Sequence, residues 1–98
     1  MSYRLEFRAE ASADIAEAFS WYEVERAGLG AEFEAELDRT LHLVITMPGA
    51  GRVVYRTLRR ALMRRFPFVI YYRFEGDLVE VRGVLHTRRR PGTWRRRA

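Results

Sequence analysis

The sequence predicts an α+β fold in two layers: an N-terminal strand, an antiparallel helical hairpin, then an antiparallel β-meander. Three observations predict it. Residues 3–8, YRLEFR, alternate apolar and polar side chains. Residues 11–44 carry two apolar stripes at helical spacing, joined by a short link with two glycines. From Gly51 to His86 the pattern is again strand-like, broken by short turns.

Each element has its own reason. Tyr3, Leu5 and Phe7 alternate with Arg4, Glu6 and Arg8, the period of a half-buried strand. Ala11, Ile15, Ala18, Phe19 and Tyr22 then fall on one face of a helix, with Ser12 and Asp14 suited to its first turn. AGLG (27–30) breaks it, and Gly28 is expected as the glycine just past its end. Phe33, Leu37, Leu41 and Val44 make the second stripe, and Pro48-Gly49 stops that helix. RVVYRTL (52–58) reads as a short extended piece, and RALMRRF (60–66) as a strand ending near Pro67. FVIYYRF (68–74) and LVEVRGVLH (78–86) are the clearest strands, joined by a two-residue Gly76-Asp77 turn.

That turn sets a register. Phe74 should pair with Val79, Tyr72 with Val81, Ile70 with Gly83, and Phe68 with Leu85. One face is then wholly apolar. The other carries Tyr71, Arg73, Glu80, Arg82 and Val84, with His86 at its end. Gly83, on the core face, would let a helix side chain approach closely. Either Arg64 or Arg65 should join the polar face.

Residues 1–98 are expected to form one domain, with a basic tail from about residue 87. The apolar fraction of 48% suits a globular chain and excludes a disordered one. With no cysteine, disulfides and thiolate metal sites are excluded. Met1 to Glu10 carries four charges and no apolar run, so no signal peptide is expected. No stretch approaches the roughly 20 apolar residues of a membrane span. A cytoplasmic protein with no membrane partner is the expectation. His42 and His86 lie on different elements, so no metal site is predicted. PGAG (48–51) lacks the lysine of a phosphate loop, and no cofactor is expected.

The charge is unevenly spread. Residues 1–51 hold four arginines against ten acids, and residues 52–98 hold fourteen against three. All basic residues are arginine, whose planar fork matches phosphate and carboxylate. The basic half suggests an anionic partner.

Four stretches, ADIAEAFSWYE (13–23), GLGAEFEAEL (28–37), RRALMRRFPFVIYYRF (59–74) and VLHTRRRPGTW (84–94), resemble the RelE/ParE superfamily of bacterial toxins. Together they cover about half the chain, in the expected order. The resemblance implies a growth-inhibiting toxin of a type II toxin–antitoxin pair, held silent in a hetero-oligomer by a cognate antitoxin. It further implies one of two targets: message on the ribosome, cut as RelE-like enzymes do, or DNA gyrase, inhibited without cleavage. A non-enzymatic nucleic-acid-binding module is the alternative from another class.

RNA cleavage needs an acid or base and cations for the phosphorane charge. His86, Arg82 and Arg89 are the candidates for it. Ribonucleases resembling this chain carry an arginine where Val69 stands. Losing one such donor costs on the order of 3 kcal/mol. That departure, together with the absence of lysine, leans the reading away from an enzyme and toward gyrase. The target-facing set is then Arg82, His86, Arg88, Arg89, Arg90 and Trp94, although Trp94 could instead fold back to cap the sheet. The antitoxin is expected to touch Phe19, Tyr22, Phe33, Leu37, Arg64 and Arg65. RRRA (95–98) is expected to fray.

Overall fold

The computed structural model describes residues 3–98. The elements are β1 (Arg4–Phe7), α1 (Ala9–Glu25), α2 (Leu29–Thr46), a short 3-10 turn (Pro48–Ala50), β2 (Arg52–Tyr55), β3 (Leu58–Leu62), β4 (Phe68–Glu75), β5 (Leu78–His86) and α3 (Pro91–Arg95). The sheet order is β1-β5-β4-β3-β2. β1 runs parallel to β5, and the other pairs are antiparallel. The helical hairpin covers one face. The predicted α+β plan therefore holds, with β1 entering at the edge beside β5.

The helix-covered face holds the main core. Phe33, Ile70, Tyr72, Val79, Val81 and Val84 are buried there. Tyr22 packs against Phe33, Phe66 and Phe68, with ring centroids 5.5, 4.9 and 6.1 Å away. Tyr72 donates its hydroxyl to the Pro48 carbonyl at 2.6 Å. Burial of large apolar groups is the main stabilising term, about 1.5–3 kcal/mol for each such side chain.

Gly28 does not close α1. Arg26 is the last cap of α1, and Gly28, with φ +89°, opens α2. The exposed α2 start is satisfied by the Glu23 carboxylate, which accepts from Gly28 N–H at 3.0 Å and Gly30 N–H at 2.8 Å. Those donors need an acceptor because no earlier turn supplies one.

The far face holds a second, smaller core that the sequence reading took for a solvent surface. Leu58, Val69, Tyr71 and Leu85 are buried there, with Val54 and Trp94 packed on them. α3 swings Trp94 back onto Tyr71, ring planes 17° apart and centroids 5.9 Å apart. Sandwiched in this way, Tyr71 gives no base-stacking platform.

The predicted β4–β5 register holds from the turn to Tyr72↔Val81 and then slips. Tyr71 faces Gly83, so Arg82 is an extra residue, a β-bulge. Beyond it Ile70 pairs with Val84, Val69 with Leu85 and Phe68 with His86. The slip exchanges the faces of residues 83–86, since side chains alternate along a strand. Val84 goes to the helix side and Leu85 to the far side. Gly83 makes room not for a core side chain but for Arg97: an added Cβ would lie 2.9 Å from its Nη1.

Candidate functional site

β5 outruns its neighbour. β1 pairs with residues 78–81 and stops, leaving the edge beyond Val81 without a strand. Two side chains take its place. Asp14 of α1 accepts from Val84 N–H at 3.0 Å, and Arg97 donates to the Arg82 carbonyl at 3.1 Å. Arg97 and Asp14 also bind each other through two contacts, 2.7 and 3.2 Å. The Asp14 carboxylate, through that hydrogen bond, raises the Arg97 pKa further above its ordinary value. The tail expected to fray is thus docked, because its guanidinium answers an open sheet edge.

The bulge relocates the candidate catalytic residues. Arg82 lies on the far face, where Nε donates to Glu80 at 2.6 Å and Nη1 to the Arg97 carbonyl at 3.2 Å. Its side chain is 13% exposed. His86 points to the helix side, where its ring meets Phe68 edge-on at 5.4 Å. Its Nδ1 accepts from Arg88 N–H at 3.1 Å, so the neutral ring carries its proton on Nε2. The expectation that His86 lies beside Arg82 on one solvent row is therefore corrected: the sheet separates them.

His86 and Arg89 do share a cleft of about 470 Å³, between α1 and the end of β5. Trp21, Val24, Tyr22, Phe68, Val84 and Glu17 also line it. Trp21 is 65% and Val24 86% exposed. This wall is mainly apolar; Glu17 adds a negative charge and Arg89 a positive one, while Asp14 is already paired with Arg97. It suits a peptide side chain better than a phosphate. Val69 is buried in the far-face core, so no cation reaches the cleft from its position.

Arg88, Arg89 and Arg90 are exposed in the turn after β5, while Trp94 is half-buried. Of the residues expected to meet an antitoxin, Phe33 and Leu37 are buried beneath the hairpin and offer no surface. Phe19 sits against Gly30 between the helices, and Tyr22 belongs to the aromatic core. Arg64 and Arg65 lie in the turn after β3 rather than on a strand, and both are exposed. Arg65 reaches Glu32 at 2.7 Å. Its hydrogen bond, followed by that of Arg26, holds the Glu32 carboxyl below the usual carboxylate range. Sequence reasoning missed Asp14 and Arg97 as a pair. Eighty-three positions separate them, and no local signal joins them. Among the described residues, no group of acids and histidines could hold a metal ion. No helix of the described chain is long and apolar enough to cross a membrane.

A search of the curated proteins finds no match. The fold is similar to a solved structure titled "Chromosomal ParDE TA system from P. aeruginosa", with a TM-score of 0.76 at 15% identity. The likeness covers 86% of this chain and 95% of that one. A family model described as "ParE toxin of type II toxin-antitoxin system, parDE" matches residues 5–91. That span includes α1, α2, the sheet from Leu5 onward and the turn carrying Arg88 to Arg90, and on it the chain belongs to the ParE toxin family of type II toxin–antitoxin systems.

Proposed function

We propose that this chain arrests growth by binding DNA gyrase, without cutting RNA, and that a cognate antitoxin silences it. One observation carries the choice. His86 and Arg82 stand on opposite faces of the sheet, and Arg82 is already engaged by Glu80 and the Arg97 carbonyl. General acid–base cleavage needs proton donor and cation to converge on one phosphate. Of the candidate set, only His86 and Arg89 share a surface, and that surface is mainly apolar. A contact mechanism needs only an accessible face, which the turn bearing Arg88, Arg89 and Arg90 offers.

The antitoxin reading moves outward from the buried residues. Trp21 and Val24 stand beside the cleft as unusually exposed apolar groups, the kind that anchor an interface. An amphipathic segment folding along α1 would cover both.

The experiment expresses wild type, His86→Ala and the triple variant Arg88→Ala, Arg89→Ala, Arg90→Ala. It reads growth arrest, integrity of ribosome-bound message and gyrase supercoiling. The expected result is arrest with intact message and impaired supercoiling, kept by His86→Ala and reduced at least about tenfold by the triple variant. Message cleavage that disappears in His86→Ala would replace this reading with the ribonuclease.

A further inference from the structure

The far face carries a second group of arginines, of which the sequence reading points only to Arg95, as part of the basic tail. In the β2–β3 register, Arg52 stands directly opposite Arg60. Like charges in that position destabilise a strand pair. Arg60 in turn pairs with Tyr71, which places it on the far face. The β2–β3 turn adds Arg56, whose φ of 54° lies in the left-handed region where glycine or asparagine would sit at lower cost. Arg56 rests 5.1 Å from the centre of the Tyr55 ring. Arg95 of α3 lies 5.6 Å from the centres of both the Tyr55 and Trp94 rings.

Among the described residues, no carboxylate is paired with this group. The sequence has no acid between residues 39 and 74 and none after Glu80. Among the described residues, all four arginines are exposed and none is in an ion pair. Arg82, Arg65 and Arg97, by contrast, each meet a carboxylate. Four uncompensated guanidiniums, one in a strained turn and two facing each other across a ladder, call for an anion from outside.

We propose that Arg52, Arg56, Arg60 and Arg95 form a binding face for the phosphodiester backbone of duplex DNA. The rings decide between duplex and single strand. Proteins that grip single strands offer aromatic faces on which bases stack. Here Trp94 is stacked on Tyr71, and Tyr55 is covered by two guanidiniums. The rings aim the arginines, and phosphate is what the arginines recognise. The site goes beyond the gyrase reading and stands or falls separately, because its readout is DNA binding by the chain alone.

Fluorescence anisotropy of a labelled short duplex, titrated with the purified chain over a range of salt, tests it. Wild type should bind, with affinity falling steeply as salt rises. The double variant Arg52→Gln, Arg60→Gln should weaken binding about tenfold or more and flatten the log–log salt slope by roughly two. Arg56→Gln with Arg95→Gln should do the same, so a folding failure in one pair leaves the other to decide. The triple Arg88→Gln, Arg89→Gln, Arg90→Gln variant serves as the comparison. The proposal is overturned if wild type does not bind duplex at low salt, or if both doubles stay within about twofold of it. It is also overturned by tighter binding to a single strand of equal length, or by binding to an acidic polypeptide and not to DNA.

Discussion

The two halves of β5 meet the same requirement by different means. Residues 78–81 satisfy their outer edge with a parallel strand, β1. Residues 82–86 satisfy theirs with side chains, a carboxylate from α1 and a guanidinium from the tail. The Arg82 bulge lies at the junction. The first half is held by a backbone ladder that almost any sequence could form. The second depends on two particular residues and on a glycine that leaves them room. An edge built from side chains is therefore the more fragile half, and it adjoins the cleft and the exposed arginine turn.

Breaking the side-chain half should cost most at Asp14. Asp14→Ala removes the acceptor of Val84 N–H and strands Arg97, whose side chain is only 18% exposed. A loss of about 3 kcal/mol is expected. In a chain of this size that lowers the melting midpoint by roughly 15 °C. A fall below a few degrees would mean that the edge needs no cap.

Trp94→Ala tests whether the tail is held by packing as well as by charge. It uncovers Tyr71 and the small far-face core, and about 2 kcal/mol should be lost. Combined with Arg97→Ala in a double-mutant cycle, the two losses should be non-additive, since both act through one docked segment.

The smallest effect should come from the change that looks most severe. Deleting Arg82 removes the extra residue, yet every other β4–β5 partner and face can stay as it is, because Val81 and Gly83 already oppose consecutive residues of β4. The variant should fold with a loss of about 1 kcal/mol, chiefly from the side-chain hydrogen bonds to Glu80 and Arg97 and the bond that the Arg82 carbonyl accepts from Arg97. Far-ultraviolet circular dichroism and a denaturant melt check it; an unfolded product would show that the bulge is structural.

These differences trace what could be read from the sequence. Local periodicity placed both helices and the strands, because a stripe such as Phe33, Leu37, Leu41 and Val44 is a property of neighbouring residues. The hairpin register was legible from its turn as far as Tyr72 and Val81. The bulge was not, since an inserted residue leaves the pattern LVEVRGVLH as regular as before. From it follow the misplacement of His86, Val84 and Leu85, and the appearance of an open polar face where a second core lies. The cleft wall at Trp21 and Val24 and the Arg52–Arg60 opposition needed the tertiary pairing to be seen. The acid-free run on either side of β2 and β3 was visible in the sequence throughout.

The Asp14–Arg97 contact joins residues 83 positions apart in a chain of 98. Closing so large a loop carries a high entropic cost before any contact rewards it. The clamp should therefore be absent from the folding transition state and form late. Changes at Asp14 or Arg97 would then act on the rate of unfolding and leave the rate of folding nearly untouched. The residues that seal the sheet act as its latch, setting how long the native state lasts and not how quickly it is reached.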